Sequence, residues 1–176
     1  KEARELGIET VYQDLALANN LKVYENVFLG RERLRSFIPY LGKFLKILDK
    51  HSMREATQDF LRKLQIDFPN EALDRPVEYL SGGQRQAVAI AKSAFFNPKL
   101  LIMDEPTAAL GVAETAKVLD LVKRLKSSGI GIIFISHELE DVLAVADRIV
   151  VLKNGRKVGE RKVTETSKDE IASMIV

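Results

Sequence analysis

The sequence predicts an α/β domain with a mostly parallel sheet and an additional α-helical part. Two continuous apolar segments, residues 100–103 and 130–135, are predicted strands, and the amphipathic segment 113–127 between them is the predicted crossover helix. Strands that alternate with helices in this way are typical of a parallel sheet. A separate helical pattern at residues 53–66 supplies the α-helical part.

The elements before residue 99 are shorter. Residues 8–12 form a predicted strand because their side chains alternate and are partly β-branched, and Gly7 is expected to end a helix before it. Residues 36–52 have a mixed pattern that a proline and a glycine interrupt. The apolar face of the helix at 53–66 consists of Phe60, Leu61 and Leu64.

The strands after residue 99 are predicted from hydrophobicity and turn residues. The apolar segments do not alternate with polar residues, which predicts strands that are covered on both faces. Asn154 and Gly155 readily adopt a type I′ turn, so a hairpin is predicted between strands at 148–153 and 156–160.

A terminal helix is predicted after the hairpin. Ser167 stands three residues before Glu170, and this spacing predicts a capping box at the start of a helix that continues through Met174.

Composition and charge exclude several classes of protein. The chain has 27 lysines and arginines and 25 acids, so its net charge of +2 gives no reason to propose a nucleic-acid partner. It contains no cysteine, which excludes a disulfide framework and a thiolate metal site. Its apolar runs are much shorter than the roughly 20 residues of a spanning helix, and residues 1–9 lack the apolar core of a secretion signal. A cytoplasmic location is therefore expected.

Two adjacent carboxylates, Asp104 and Glu105, follow the apolar segment LLIM. Ligands of open α/β sheets bind at the carboxyl ends of the strands, which is where these residues are predicted. One carboxylate there can hold Mg²⁺, and a second can orient or deprotonate an attacking water. Four apolar residues followed by two acids also arise by chance in many proteins, so the pattern needs support from its neighbours.

The segment SGGQ at residues 81–84 stands directly before an amphipathic helical pattern. Ser81 is a good N-cap and Gln84 stands three positions later, so a plain capping box is one interpretation. Gly82 and Gly83 favour another, because glycines leave backbone N–H groups unobstructed and the helix dipole attracts a phosphate to that end. Phosphate recognition is the preferred hypothesis.

Two further polar residues follow predicted strands. His137 comes after the segment IIFIS and is expected at the same sheet edge as Asp104 and Glu105, where it could contact a terminal phosphate. A lone histidine after a strand is more often a capping or packing residue. Gln13 follows the strand at 8–12 and could reach a metal or a water, although its position alone is nearly uninformative.

Taken in order, VYQ, LSGGQRQ, LLIMDEPT and ISHE resemble the conserved elements of ABC ATPases, and the resemblance covers essentially all of the chain. LSGGQ followed closely by an apolar strand with Asp and Glu is highly specific. The resemblance implies a P-loop NTPase-like fold in a single, partial ATPase domain. Within it, a helical subdomain with the signature motif is expected at about 35–98, a core sheet at about 99–160 and a C-terminal helix at 161–176.

The resemblance also implies a role for each residue at the sheet edge. Asp104 matches the Walker B aspartate that holds Mg²⁺, and Glu105 matches the general base for the attacking water. His137 matches the switch histidine at the γ-phosphate. Gln13 matches the Q-loop glutamine, which senses the metal and the γ-phosphate and couples to the membrane domain.

Ser81, Gly82, Gly83 and Gln84 match the signature motif, which acts on ATP held by the opposite subunit. The implied assembly is a homodimer that closes around two ATP molecules and reopens after hydrolysis. Its implied partners are transmembrane permease subunits and, indirectly, a periplasmic sugar-binding protein. The subunit would lie at the cytoplasmic face of the membrane and dock through residues 14–66.

Residues 9–32 resemble the ATPases of bacterial carbohydrate importers, particularly those for monosaccharides such as ribose, xylose and fructose, and PTAALGV at 106–112 points the same way. Gly111 departs from the general family, whose D-loop usually ends in aspartate. This departure puts in doubt a role for a carboxylate at that position.

The P-loop pattern GxxxxGK[ST], which binds the β- and γ-phosphates, does not occur in the sequence. Its Gly42–Lys43 pair is followed by phenylalanine. In the family that loop precedes the Q-loop, so the domain is expected to be truncated at its N-terminus, and this chain alone is expected to bind ATP weakly without turnover. The alternatives are a non-transport ABC ATPase and a non-catalytic module that contributes LSGGQ to another subunit.

Overall fold

The computed structural model describes residues 2–36 and 46–175. Residues 37–45 of the mixed segment 36–52 therefore lie outside the described residues. The helices are α1 (Glu2–Glu5), α2 (Val23–Val27), α3 (Lys50–Lys63), α4 (Gly82–Ala94), α5 (Val112–Ser127), α6 (Leu139–Val145) and α7 (Lys168–Ile175). The strands are β1 (Ile8–Val11), β2 (Leu34–Ser36), β3 (Lys46–Leu48), β4 (Leu100–Asp104), β5 (Gly131–Ile135), β6 (Arg148–Lys153) and β7 (Arg156–Lys162).

Three parallel strands form the central sheet in the order β1-β4-β5. Val11 pairs with Met103, and Asp104 pairs with Ile135, so the carboxyl ends of the three strands meet at one edge. The helix α5 connects β4 to β5, as predicted for the crossover. The α/β prediction with a parallel sheet is therefore confirmed, and β1 joins this sheet although it precedes the region 99–160.

One face of the sheet is covered by α4 and α5. Leu101 and Met103 are fully buried on that face and belong to one apolar cluster with Ile90 of α4 and Leu121 of α5. Removing such side chains from water is the main favourable contribution to folding. This cluster holds β4 in place and thereby fixes the position of the residues that follow it.

The opposite face of the sheet differs from the prediction that both faces are covered. Ile133 and Ile135 of β5 are each 46% exposed, and β5 has no neighbour on its outer edge among the described strands. The prediction is wrong for β5 because a continuous apolar run shows what a strand can bury, whereas actual burial depends on the elements packed against it.

The helix α3 begins and ends earlier than the predicted 53–66. It begins at Lys50 because Asp49 is the N-cap, with its carboxylate accepting a hydrogen bond from the Ser52 N–H at 3.1 Å. It ends at Lys63, and Gln65 has a φ of 53°. That left-handed conformation cannot continue a helix.

The strands β6 and β7 form a separate antiparallel hairpin, as predicted. Asn154 and Gly155 at its turn have φ values of 51° and 73°. Both angles are positive, as a type I′ turn requires.

The C-terminal helix starts later than the expected residue 161, because β7 continues to Lys162 and α7 begins only at Lys168. Ser167 accepts a hydrogen bond from the Glu170 N–H at 3.2 Å, which confirms one half of the predicted capping box. The Glu170 carboxylate does not return this bond to Ser167. It accepts from Thr166 at 2.7 Å and pairs with Arg161 at 2.6 Å.

Candidate active site

Four of the predicted residues lie where the parallel strands end. Asp104 is the last residue of β4 and Glu105 follows it, while Gln13 and His137 each stand two residues beyond the ends of β1 and β5. Because these strands are parallel neighbours, the topology brings all four residues to one edge of the sheet.

Glu105 and His137 are in direct contact. The distance from His137 Nδ1 to Glu105 Oε1 is 2.9 Å. The Glu105 side chain is 20% exposed and the His137 side chain is 70% exposed. Glu105 Oε2 is buried and has no hydrogen-bond partner in the described part of the chain. One carboxylate oxygen is thus held by the histidine, and the other is free to accept a hydrogen bond from a small polar ligand.

The backbone of Glu105 is held in an unusual conformation. Its φ is 48°, a left-handed angle that costs a non-glycine residue on the order of 1 kcal/mol or more. Its N–H donates to the carbonyl oxygen of Ile135 at 2.9 Å, which joins the ends of β4 and β5. This bond fixes the direction in which the carboxylate leaves the strand.

The neighbouring carboxylate changes the titration of His137. The hydrogen bond that the His137 ring donates to the Glu105 carboxylate, and the negative charge of that carboxylate, raise the pKa of His137 above its ordinary value of 6.5. Glu138 adds a smaller effect in the same direction, and its Oε1 lies 3.4 Å from His137 Nε2. The raised pKa favours a positive charge at this edge, which would attract a phosphate.

Asp104 and Gln13 bring side-chain oxygens to this edge of the sheet. Neither side chain makes an ion pair or a hydrogen bond to another described residue. The described ranges hold no group of three or more His, Cys, Asp or Glu that could bind a metal on their own. Mg²⁺ is usually held by one or two protein oxygens together with water and phosphate oxygens, and carboxylate and amide oxygens are donors of that kind.

The segment 81–84 forms the start of α4. Ser81 Oγ accepts a hydrogen bond from the Gln84 N–H at 3.2 Å, and Gln84 Oε1 accepts one from the Ser81 N–H at 3.0 Å, so the predicted capping box is confirmed. Gly83 donates its N–H to Glu114 Oε1 at 3.3 Å. Within residues 2–36 and 46–175, no hydrogen bond or ion pair connects this segment to Asp104, Glu105 or His137. The two groups of predicted residues are therefore not joined directly to each other by such a bond.

Gly111, the residue that departs from the D-loop pattern, is the N-cap of α5 and supplies no side-chain hydrogen bond. An aspartate at this place could accept a hydrogen bond from the first turn of the helix. The first turn of α5 instead makes a contact with α4, in which Glu114 accepts the hydrogen bond from Gly83.

Three polar residues that organise the region were not predicted from the sequence. Glu114 contacts the start of α4, and Asn26 is fully buried in α2. Glu9 is buried in β1, where it pairs with Arg31 and, at 3.3 Å, with Arg4. The sequence did contain a signal that Glu9 and Asn26 are buried, since each stands among residues that form an apolar face.

The comparisons with known sequences agree with one another. A sequence model of the ABC transporter family matches residues 1–108. The chain is 44% identical to the xylose/arabinose import ATP-binding protein XylG of Sulfolobus acidocaldarius, over 99% of this chain and 65% of that protein. It is 42% identical to the ribose import ATP-binding protein RbsA of Clostridium tetani, over 100% of this chain and 33% of that protein. The chain thus spans between about a third and two thirds of the length of these relatives.

Solved structures show the same fold. The ATP-binding cassette MJ1267 of an ABC transporter superposes with a TM-score of 0.74 at 28% identity, over 98% of this chain and 70% of that chain. The dimeric structure of the cassette MJ0796 gives a TM-score of 0.70 at 26% identity, over 92% of this chain and 65% of that chain.

No helix in the described ranges is long and apolar enough to cross a membrane. The cassettes share the P-loop NTPase-like α/β fold of this chain. Since the family match covers more than half of the residues, the chain belongs to the ABC transporter family.

Proposed function

We propose that this chain is part of an ATP-hydrolysing subunit that energises an ABC-type sugar importer. The Glu105–His137 contact at the carboxyl edge of the sheet carries this proposal, because it leaves one oxygen of Glu105 without a protein partner. The relatives named for the import of xylose, arabinose, ribose and fructose support a monosaccharide as the transported substrate.

Glu105 is the proposed general base. His137 holds its Oε1 at 2.9 Å, so Oε2 is left to accept a hydrogen bond from the water that attacks the γ-phosphate and to take up its proton. The backbone bond from Glu105 to Ile135 keeps the carboxylate at the strand end. When His137 is protonated, its Nε2 would donate to the γ-phosphate in exchange for its contact with Glu138.

Asp104 and Gln13 would hold Mg²⁺ through their side-chain oxygens. When bound, the ion would supply positive charge that offsets the charge of the nucleotide phosphates. Gln13 lies directly after Tyr12, which lines a cleft on the surface. The same residue would therefore connect the nucleotide site to whatever partner occupies that cleft.

The segment 81–84 is proposed to bind the ATP held by a second copy of the subunit. Ser81 is exposed, and it stands at the N-terminus of a 13-residue helix whose dipole favours a phosphate. The dimeric cassette among the structural relatives supports an assembly of two copies. In such a homodimer each ATP would lie between the sheet edge of one subunit and the segment 81–84 of the other.

The cleft beside Gln13 is the proposed docking site for a transmembrane permease subunit. Its lining includes Tyr12, Leu29 and Phe96, which are 55%, 40% and 38% exposed. Exposed apolar side chains grouped in this way are typical of an interaction surface. Docked there, the subunit would lie at the cytoplasmic face of the membrane and act, through the permease, with a periplasmic sugar-binding protein.

Replacement of Glu105 by glutamine in the intact subunit tests the proposed chemistry. Glu105→Gln keeps the shape of the side chain and removes the base, so ATP binding should remain while turnover falls by about 10²–10⁴-fold. Glu138→Gln is the matched control, because it removes one negative charge beside the same histidine, 3.4 Å from Nε2. Its turnover should stay near that of the wild type. Unchanged turnover in Glu105→Gln would exclude Glu105 as the base.

The sugar proposal needs a separate measurement. ATP turnover should be measured with the subunit reconstituted with its permease and binding protein, in the presence of xylose, arabinose, ribose or fructose. One or more of these sugars should stimulate turnover. Turnover that responds to none of them, in an assembly that hydrolyses ATP, would contradict the assignment to monosaccharide import.

A further inference from the structure

The carboxylate of Glu114 lies over the glycine turn at the start of α4. Its Oε1 accepts a hydrogen bond from the Gly83 N–H at 3.3 Å. A Cβ atom added to Gly83 would meet the same oxygen at 2.8 Å, closer than ordinary contacts allow. A side chain at residue 83 would therefore push the carboxylate away from its present position at this N–H.

Glu114 makes this contact instead of a local one. It is the third residue of α5, whose N-cap is Gly111. A glutamate at the third position of a helix commonly turns back to accept a hydrogen bond from the N-cap backbone. Here the side chain crosses to another helix, 31 residues away in the sequence. The contact joins the beginnings of α4 and α5.

The Gly83 N–H can serve only one anion at a time. In the same turn, the N–H groups of Ser81 and Gln84 are already used by the capping box. A phosphate oxygen that takes the Gly83 N–H must therefore replace the Glu114 carboxylate, because the amide has one hydrogen. Two anions at one helix end also repel each other.

We propose that Glu114 acts as an internal competitor of ATP. In the nucleotide-free subunit its carboxylate occupies the Gly83 N–H, and a phosphate of the opposite subunit's ATP displaces it on arrival. Glu114 can act in this way only if residues 81–84 bind that ATP as proposed. The displaced carboxylate has a new partner within reach. Lys117 lies three residues further along α5, is exposed, and makes no ion pair within the described ranges.

Replacing Glu114 by glutamine in the intact subunit tests the competition. Glu114→Gln keeps the size of the side chain and removes its charge, so the phosphate meets a weaker competitor. The ATP concentration at half-maximal turnover should fall by about three- to tenfold, the range for a partly exposed charge-assisted bond, while kcat stays within about twofold.

Asp120→Asn is the matched control on the same helix, because Asp120 is exposed and its pair with Lys123 is 4.0 Å long. Its half-saturating ATP concentration should not change. If Glu114→Gln leaves that concentration unchanged, raises it, or lowers kcat instead, Glu114 does not compete with ATP.

A second readout does not depend on catalysis. In the nucleotide-free intact subunit, Glu114→Ala should shift the amide resonance of Gly83 and speed its hydrogen exchange, whereas Asp120→Asn should do neither. An unchanged Gly83 amide would overturn the inference even in a fully active enzyme. If the wild-type subunit hydrolyses no ATP, the proposed function fails, and the amide measurement still decides whether Glu114 occupies Gly83.

Discussion

Replacement of Asn26 by aspartate tests whether one buried amide holds the loop between Gln13 and α2. Asn26 is 0% exposed. Its Nδ2 donates to the carbonyl oxygens of Ala18, Leu21 and Lys22 at 3.0, 3.2 and 3.2 Å, and its Oδ1 accepts the Ala18 N–H at 2.8 Å. All the hydrogen-bonding groups of the amide are therefore satisfied by the backbone of this loop.

Aspartate has the shape of asparagine, but it replaces the donor by an oxygen. The loss of the bonds made by the two Nδ2 hydrogens should cost about 2–3 kcal/mol, at about 1–1.5 kcal/mol each. The new oxygen faces three carbonyl oxygens in a buried site, which adds about 1–3 kcal/mol. We therefore expect Asn26→Asp to lower the free energy of unfolding by at least about 3 kcal/mol, a large part of the stability of an ordinary domain.

Urea unfolding of the intact subunit, followed by circular dichroism, measures this change. Asn20→Asp is the matched control: Asn20 lies in the same loop, is exposed, and makes no side-chain hydrogen bond within the described ranges. The control should change the free energy of unfolding by less than about 0.5 kcal/mol. A loss below about 1 kcal/mol for Asn26→Asp would refute the idea that this amide holds the loop.

Two further predictions concern the site and the sheet. His137 should titrate above 6.5 in the nucleotide-free subunit, and Glu105→Gln should bring its pKa down towards that value, as NMR can measure. Because the pKa is raised in the folded state, the Glu105–His137 pair stabilises the protein below the unfolded pKa, and this contribution disappears as the pH rises through the folded pKa. Met103→Ala should cost about 2–5 kcal/mol of unfolding free energy, whereas Ile133→Ala, on the half-exposed face, should cost about 1 kcal/mol or less. Equal losses in the two variants would contradict one-sided burial of the sheet.

The features that could be predicted from the sequence depend on short-range patterns. An apolar run predicts a strand, and Asn154–Gly155 predicts the turn of a hairpin, because each depends on the residues themselves. The convergence of Glu105 and His137 was also predictable, since the carboxyl ends of parallel strands share one edge. The 2.9 Å contact and the unpartnered Oε2 were not, because they depend on how the two strands are joined.

The features that could not be predicted depend on contacts between residues that are far apart in the sequence, which a local pattern of apolar and polar residues does not show. The exposure of Ile133 depends on what packs against β5, which an apolar run does not report. Glu114 has the spacing of a capping residue, and its contact with Gly83 spans 31 residues. Asn26 sits among apolar neighbours in α2, where the pattern indicates burial but does not show that the side chain holds a loop.

The proposed base, Glu105, and Glu114, which contacts the segment 81–84, lie on one short stretch of backbone. Glu105 is joined to β5 through Ile135, and Glu114 is joined to α4 through Gly83. Between them the chain is stiffened by turn hydrogen bonds, from the Ala108 N–H to the Glu105 carbonyl at 3.1 Å and from the Leu110 N–H to the Thr107 carbonyl at 3.3 Å. The stretch between the two contacts is therefore a short segment of ordered backbone. If ATP displaces Glu114, residues 106–111 are the shortest covalent path from that contact to Glu105, and the expected constancy of kcat in Glu114→Gln tests whether the displacement leaves Glu105 in place.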